Sequence, residues 1–292
     1  MSATETKTRF VTALWLTLVF IALTGLAAYF CIGRWLLFCF GLVMSMGISV
    51  EIGNMCVPMD APQRRLLRTL YSFLCFVPSL SIVVLGLARY SCEIMGISLP
   101  TLVGGLLLGF ALSSLGGLAT AVFLGRSSLE SGKARAFELM FASLLGFGAA
   151  CLVSFALIPP GILPLIWLVL VVCVNDIAAY FFGRSLQGPK LAEAFSPKKT
   201  FSGALFGLAI GALVGSLTFS LLTVGASWVW GLSFSALVVI AAQIGDLSKS
   251  LLKRVNDVKD SGSILPGHGG VLDRLDGMLA AAPLVIAFLV LS

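Results

Sequence analysis

Long, uninterrupted apolar runs constrain the fold of this chain more than any other feature of its sequence. Hydrophobic residues make up 59% of the 292 residues, and charged residues only 11%. A run of about 20 apolar residues is long enough to cross a lipid bilayer as a helix. The runs do not alternate between apolar and polar residues, as the strands of a membrane barrel do. We therefore predict an all-α, polytopic membrane helix bundle.

About nine transmembrane helices are predicted, with ends placed to within several residues. They cover residues 10–31, 35–52, 70–88, 98–124, 136–158, 161–183, 201–225, 227–246 and 277–291. No linker divides the chain, so we predict a single integral membrane domain over residues 1–292. Within it we expect residues 1–158 to form a scaffold of helices. We expect residues 159–292 to supply the helices and cytoplasmic loops that carry the chemistry.

The basic residues predict how the bundle is oriented. With a cytoplasmic N-terminus, all 19 lysine and arginine residues except Arg34 and Arg89 fall on the cytoplasmic side. Such a bias is expected, because short loops rich in lysine and arginine stay inside. It also gathers the net charge of +6 on one face, where it can attract anionic lipids and nucleotides.

Charge is concentrated in one segment, residues 250–276, between the last two predicted spans. Its ionisable residues are Lys253, Arg254, Asp257, Lys259, Asp260, His268, Asp273, Arg274 and Asp276, and His268 is the only histidine of the chain. Polar groups next to lipid are costly to keep there. Their density therefore indicates chemistry on a charged substrate.

Three aspartates at the membrane boundary are candidate metal ligands. Asp273 and Asp276 are three residues apart, a spacing that puts them on one face of a helix. Asp246 ends span 8. Carboxylate oxygens are the ligands that hard divalent cations prefer. The alternative is that these aspartates cap helices or pair with Arg254 or Arg274, but the whole segment favours metal.

A glycine-rich turn, Leu265-Pro266-Gly267-His268-Gly269-Gly270, interrupts the segment. Glycine tolerates positive φ and close approach of a ligand to the backbone. Consecutive N–H groups in such a turn can form a nest for an anion. His268 either orients a phosphate or a metal-bound water, or is an ordinary turn residue.

Basic side chains flank the pair of predicted spans 7 and 8. A basic patch, Ser196–Thr200, precedes span 7, and Lys253, Arg254 and Lys259 follow span 8. Arginine forks to phosphate oxygens and lysine acts as a compact charge. Carboxylates for metal, cations for phosphate and a glycine turn together favour phosphoryl or nucleotidyl transfer.

Two further features lie outside these segments. Glu51, near the end of span 2, either lines a cavity or lies in solvent at the membrane interface, and we favour the solvated interpretation. Span 7 has glycine at positions 203, 207, 211 and 215. Such a stripe lets a second helix approach closely, either within the chain or across a dimer interface. We expect packing within the chain.

At these residues the chain resembles the phosphatidate cytidylyltransferases, or CDP-diacylglycerol synthases. The family signature is met by Ser250, Lys253, Arg254, Lys259, Asp260, Gly262, Leu265 to Gly270, Asp273, Arg274 and Asp276. Shorter family segments are similar to Asp176–Arg184, Ser196–Thr200 and Gly245–Leu247. The resemblance covers roughly residues 175–276. It departs at Ser202, where the family usually has glutamate, so substrate affinity or chemistry is in question at that position.

The resemblance implies that phosphatidate and CTP react to give CDP-diacylglycerol and pyrophosphate, a step of phospholipid biosynthesis. It implies Mg²⁺ together with K⁺ as cofactors, and a homodimer with no nucleic-acid partner. It also implies a bacterial inner membrane protein whose active site faces the cytoplasm. The implied catalytic residues are Asp246, Lys253, Lys259, Asp260, His268, Asp273 and Asp276, of which Asp246, Asp273 and Asp276 hold metal. The implied substrate-binding residues are Asp176, Tyr180, Lys198, Lys199, Ser250, Arg254, Gly267, Gly269, Gly270 and Arg274.

Other functions fit parts of the same pattern. A related enzyme could use another lipid phosphate, such as an archaeal ether lipid, and a polyprenol kinase is a more distant variant. A transporter of an anionic solute is disfavoured, because the charges crowd one face of one half of the chain. A protein that binds CTP without turnover is the alternative that Ser202 raises.

Overall fold

The described residues fold almost entirely into α-helices, which confirms the predicted architecture. The computed structural model describes residues 3–57, 64–88, 99–124, 129–158, 161–223, 225, 227–262, 264–265 and 269–291. Nine α-helices lie within these ranges: α1 Ala3–Tyr29, α2 Cys31–Cys56, α3 Arg64–Ala88, α4 Leu99–Leu124, α5 Leu129–Ser154, α6 Ile162–Leu186, α7 Phe201–Leu217, α8 Trp228–Val255 and α9 Leu272–Leu291. The chain is a membrane protein by the length and composition of these helices.

Seven of the described helices, α2 to α6, α8 and α9, are long and apolar enough to cross a membrane. Two shorter apolar helical stretches, Leu14–Tyr29 and Phe201–Leu217, fall below that length. The predicted span 201–225 is therefore too long, because α7 ends at Leu217 and a 3₁₀ turn, Phe219–Leu221, follows it. The predicted start of the last span at 277 is too late, since α9 begins at Leu272.

A short β-hairpin was not predicted. Strands β1 (Lys190–Ala192) and β2 (Ser196–Thr200) pair antiparallel, with Lys190 opposite Thr200 and Ala192 opposite Ser196. Helix α6 ends at Leu186, and the residue after it, Gln187, has a left-handed φ of 45°. Within β2, Pro197 disfavours helix because it lacks an N–H group. The predicted basic patch thus lies on β2, which leads directly into α7.

The chain forms two compact units. Unit 1 comprises Met1–Pro159 with Asn256–Arg274, and unit 2 comprises Pro160–Val255 with Leu275–Ser292. Most of the glycine-rich segment between α8 and α9 therefore belongs with helices α1 to α5, and α9 continues from unit 1 into unit 2. The single membrane domain, with a scaffold over 1–158 and chemistry over 159–292, stays a prediction.

In unit 1, serine hydroxyls donate hydrogen bonds to backbone carbonyls near a proline that interrupts helix α3. Pro78 lies inside α3 and has no N–H to donate to the carbonyl of Leu74. Ser113 of α4 donates to that carbonyl at 2.6 Å. Ser81 donates to the carbonyl of Pro78 at 2.7 Å and to that of Gly105 at 2.8 Å. Such bonds let a broken helix persist in an apolar environment, where free carbonyls are costly.

In unit 2, the glycine stripe of α7 packs against neighbouring helices, which confirms the prediction of internal packing. All four glycines, at 203, 207, 211 and 215, are buried. Gly203 and Gly207 face α6 at Ala179 and Asn175, and Gly211 and Gly215 face α8 at Val239 and Ser235. The side chain of Thr200 caps α7 by accepting from the N–H of Gly203 at 3.2 Å.

Replacing Gly203 by alanine should destabilise the fold. The added methyl would lie 2.6 Å from the carbonyl oxygen of Ala179, a backbone atom. Overpacking of this kind costs about 1–3 kcal/mol, which exceeds the helix propensity that alanine gains. Thermal unfolding in detergent should show a lower midpoint. Gly104→Ala in α4 is the matched control, because its methyl would meet nothing within 4 Å; an equal loss in both variants would contradict close packing at Gly203.

Candidate active site

A large cavity in unit 2 gathers several of the predicted site residues. It encloses about 960 Å³ and is lined by residues of α6, the hairpin, α7 and α8. Its charged lining residues are Asp176, Arg184, Lys190, Lys198, Lys199 and Asp246. Ligand cavities commonly measure about 300–1,000 Å³. The excess of positive over negative side chains suits a polyanionic ligand.

A cluster of two carboxylates and two lysines lies at one side of this cavity. The Lys199 ammonium is 2.5 Å from Oδ2 of Asp246. The Lys249 ammonium contacts the carboxylate of Asp276 and lies 3.5 Å from Oδ1 of Asp246. Lys249 is only 6% exposed, so the two aspartates are held together by a buried cation.

Lys249 was not predicted as a site residue. It lies three residues after Asp246, a spacing that makes the two side chains neighbours on α8. That spacing is the signal that could have found it. In the sequence alone, Lys249 appears only as one of the basic residues that predict the orientation of the bundle.

The residues of this cluster fit a divalent cation. Asp246 and Asp276 converge on one positive group, the Lys249 ammonium, and their carboxylate oxygens are the donors that Mg²⁺ prefers. Within the part of the chain that the structure describes, no three side chains of the types His, Cys, Asp or Glu form a ready metal cluster. The predicted site with three aspartates therefore stays a prediction.

Asp273 accepts hydrogen bonds from the loop before α9, in unit 1. Oδ2 of Asp273 accepts from the N–H of Ser261 at 2.9 Å, from the Ser261 hydroxyl at 3.0 Å and from the N–H of Gly270 at 3.5 Å. These bonds tie the first turn of α9 to the loop before it. They also fix the direction of the Asp273 carboxylate.

The two ends of the glycine-rich turn, at Leu265 and Gly269, are hydrogen-bonded to each other. The N–H of Leu265 donates to the carbonyl of Gly269 at 3.0 Å, and the φ of Gly269 is 81°. A left-handed φ of this kind favours glycine. Gly267 and His268 lie outside the described residues, so their predicted roles, and the anion nest, stay predictions.

Two amide side chains that were not predicted as site residues, Asn175 and Gln243, hold Asp176 in place. Asn175 donates to Oδ1 of Asp176 at 2.9 Å, and Gln243 donates to Oδ1 of Asn175 at 2.8 Å. Gln243 also donates to the carbonyl of Ala204 at 3.0 Å. All three side chains line the cavity. The chain of bonds joins α6, α7 and α8 at the cavity wall.

The other predicted residues differ in their surroundings. Tyr180 is exposed and accepts from Arg184 at 3.1 Å. Ser250 donates to the carbonyl of Asp246 at 2.9 Å, and Arg254 donates to the carbonyl of Phe195 at 3.5 Å. The remaining members of the predicted set are half-buried or exposed: Lys198, Lys253, Lys259, Asp260 and Arg274.

Ser202 lies at the start of α7, beside the cavity wall. Its hydroxyl accepts from the N–H of Gly188 at 3.3 Å and lies 3.2 Å from the hydroxyl of Thr200. The residue thus joins the turn after α6 to the N-terminus of α7. In this chain, serine at that position holds two elements of the cavity wall together.

The interpretation of Glu51 as a solvated interfacial residue is wrong. Glu51 is 1% exposed, and its carboxylate accepts hydrogen bonds from Ser261, Val271 and Leu272. The interpretation failed because the partners lie more than 200 residues further along the chain. Helix α2 also continues to Cys56, so Glu51 is more than a turn inside it.

Comparison with known proteins identifies the family. The model of the cytidylyltransferase family matches residues 7–292. The chain belongs to this family. Its relatives include proteins named phosphatidate cytidylyltransferase from three bacteria. The one from Brucella suis biovar 1 is 53% identical over 131 residues, 44% of this chain and 48% of the relative.

Two other bacterial relatives support the same placement. The Helicobacter pylori protein is 47% identical over 122 residues, 42% of this chain and 45% of the relative. The Bacillus subtilis protein is 39% identical over 121 residues, 41% of this chain and 45% of the relative. The chain spans about half the length of the curated relatives it matches.

Proposed function

We propose that this member of the cytidylyltransferase family transfers CMP from CTP to phosphatidate, giving CDP-diacylglycerol and pyrophosphate. The observation that carries the proposal is the cavity of about 960 Å³ in unit 2. Four basic side chains and Asp246 line it, and the buried Lys249 joins Asp246 to Asp276. The names of the bacterial relatives support the choice of both substrates.

In the proposed reaction, a phosphate oxygen of phosphatidate attacks the α-phosphorus of CTP. A new bond forms between that oxygen and the α-phosphorus, and the bond from the α-phosphorus to the oxygen bridging to the β-phosphorus breaks. Pyrophosphate leaves with the electron pair. Because the lipid phosphate is already ionised near neutral pH, no protein group needs to remove a proton from it.

The cavity residues would bind and orient the nucleotide. Lys198 and Arg184 offer ammonium and guanidinium donors for phosphate oxygens. Lys199 would keep its contact with Asp246 or move to a phosphate. Asp176 would be held in place by Asn175 and Gln243. Magnesium held by Asp246 and Asp276 would offset negative charge that builds on the phosphates.

Roles for the other signature residues follow the family resemblance and are proposals too. Lys253, Arg254 and Lys259 would bind phosphates. Asp260 and His268 would serve the reaction, and Asp273 would be a metal ligand. Six further residues would bind substrate: Tyr180, Ser250, Gly267, Gly269, Gly270 and Arg274. The proposal also includes K⁺ beside Mg²⁺, a homodimer, no nucleic-acid partner, and a bacterial inner membrane with the active site facing the cytoplasm.

The full chain, purified in detergent, should release pyrophosphate only when CTP, phosphatidate and Mg²⁺ are all present. CTP labelled at the α-phosphorus should transfer its label to the lipid, whereas CTP labelled at the γ-phosphorus should not. Transfer of the γ-label would identify a lipid kinase instead. Diacylglycerol, which lacks the attacking phosphate, is the matched control acceptor. CTP binding without any lipid-dependent pyrophosphate release would overturn the proposal.

A further inference from the structure

Glu51 is a buried carboxylate whose two oxygens both accept hydrogen bonds. Oε1 accepts from the N–H of Val271 at 2.8 Å. Oε2 accepts from the N–H of Leu272 at 2.9 Å and from the Ser261 hydroxyl at 3.1 Å. An ionised carboxylate is an acceptor only, so three donors around two oxygens match that form. All four residues belong to unit 1.

This carboxylate supplies a cap that the local sequence lacks. The first N–H groups of a helix have no partner within the helix, and negative charge is favoured next to them. Helix α9 begins at Leu272, directly after Gly270 and Val271, and neither of those residues has a side chain that could accept a hydrogen bond. Glu51 of α2, 220 residues earlier in the chain, accepts these hydrogen bonds instead.

Two glycines of the loop make room for the Glu51 side chain. A methyl group on Gly262 would lie 2.8 Å from Cγ of Glu51. A methyl group on Gly270 would collide with the Ser261 hydroxyl and with Oε2 of Glu51. Close approach of another group is a position where glycine is needed. These two glycines of the signature therefore serve the fit to Glu51.

Ser261 connects Glu51 with Asp273. Its hydroxyl lies 3.1 Å from Oε2 of Glu51 and 3.0 Å from Oδ2 of Asp273. A hydroxyl has one proton to donate, so the two carboxylates share one donor. Asp273 also accepts from the N–H of Ser261. A change in the hydrogen bond between Glu51 and Ser261 should therefore also change the hydrogen bonds that Asp273 accepts.

We propose that Glu51 is a positioning residue of the reaction. It fixes the loop that carries Ser261, Gly262 and Gly270, and through Ser261 it sets the direction of the Asp273 carboxylate. In this role Glu51 acts through Ser261 and the loop, and would not itself touch substrate or metal. The inference rests on the proposed function, because Asp273 is a proposed metal ligand. Groups that orient such ligands are typically worth about 10–100-fold in activity.

The first test compares Glu51→Gln with Glu138→Gln in the full chain in detergent. Glutamine replaces one carboxylate oxygen with an NH₂ group. That group cannot accept the hydrogen bond that the oxygen accepted, and it faces another donor. Glu138 is the matched control, because it is also a buried carboxylate of unit 1 and its bonds are to Arg135 and Tyr71, outside the loop. In Glu51→Gln, hydrogen exchange at Ser261, Val271 and Leu272 should rise about tenfold or more, and kcat should fall about tenfold with little change in KM for CTP. Glu138→Gln should change neither quantity.

A milder variant tests the path through Ser261 without threatening the fold. Ser261→Ala removes the shared hydroxyl and keeps the backbone N–H that bonds Asp273. It should lower kcat several-fold. The double variant with Glu51→Gln should be no slower than Glu51→Gln alone, because coupled residues are not additive.

Three results would overturn the proposal: unchanged exchange of the loop in Glu51→Gln, an equal loss of kcat in Glu138→Gln, or fully additive losses in the double variant. Failure of the proposed function would look different. The parent chain would then lack turnover of CTP with phosphatidate, while the exchange measurement would still decide whether Glu51 holds the loop.

Discussion

Asparagine in place of Asp246 should leave CTP bound and stop its turnover. The Asp246 carboxylate contacts the ammonium groups of Lys199 and Lys249 and lines the cavity of unit 2. Loss of its charge leaves that wall more positive, so the affinity for a triphosphate should stay the same or rise. If Asp246 holds Mg²⁺ as proposed, loss of that oxygen should slow the reaction about 10³-fold, which corresponds to about 4 kcal/mol of transition-state stabilisation.

The measurement is a pair of constants for the same preparation, kcat from pyrophosphate release and Kd for CTP from equilibrium binding. Glu193→Gln is the matched control, since Glu193 is an exposed acid of the hairpin outside the cavity lining. Its kcat should equal that of the parent. Weaker CTP binding by Asp246→Asn, with turnover of the bound nucleotide unchanged, would show that Asp246 serves nucleotide binding alone.

The helical architecture could be predicted because it depends on local composition. Runs of apolar residues have one stable backbone in lipid, so their positions predict helices with errors only at the ends. The glycine stripe at 203, 207, 211 and 215 could also be interpreted, since its spacing is a property of one helix. The short hairpin escaped prediction because a strand of three residues, Lys190–Ala192, leaves almost no periodic signal.

Site residues could be predicted where charged residues are concentrated along the chain. Residues whose contacts lie far away in the sequence could not. Asp246, Lys199 and Asp176 were found from motifs, and the structure places all three at one cavity. Gln243 was missed, because a single amide within an apolar span has no pattern around it. Glu51 was misread for a related reason, since what fixes its role is a loop that follows 210 residues later.

Methionine in place of Lys249 should make the folded state depend on Mg²⁺. Lys249 is 6% exposed, and its ammonium contacts the carboxylates of both Asp246 and Asp276. Methionine fills a similar volume without the charge, so two carboxylates would be left together without their buried cation. Removing one partner from such a group costs about 3–5 kcal/mol, which for a chain of this size lowers the unfolding midpoint on the order of 10 °C.

A divalent cation can replace the lost ammonium if Asp246 and Asp276 are metal ligands, because their oxygens are the donors it prefers. Thermal unfolding of Lys249→Met in EDTA should therefore occur well below that of the parent, and millimolar Mg²⁺ should recover much of the difference by binding only the folded state. Lys190→Met, at an exposed lysine of β1, should lose little stability and gain none from Mg²⁺ beyond the parent. If Mg²⁺ shifted the midpoints of all three proteins equally, the two aspartates would be structural partners of Lys249 and the metal would have to bind elsewhere.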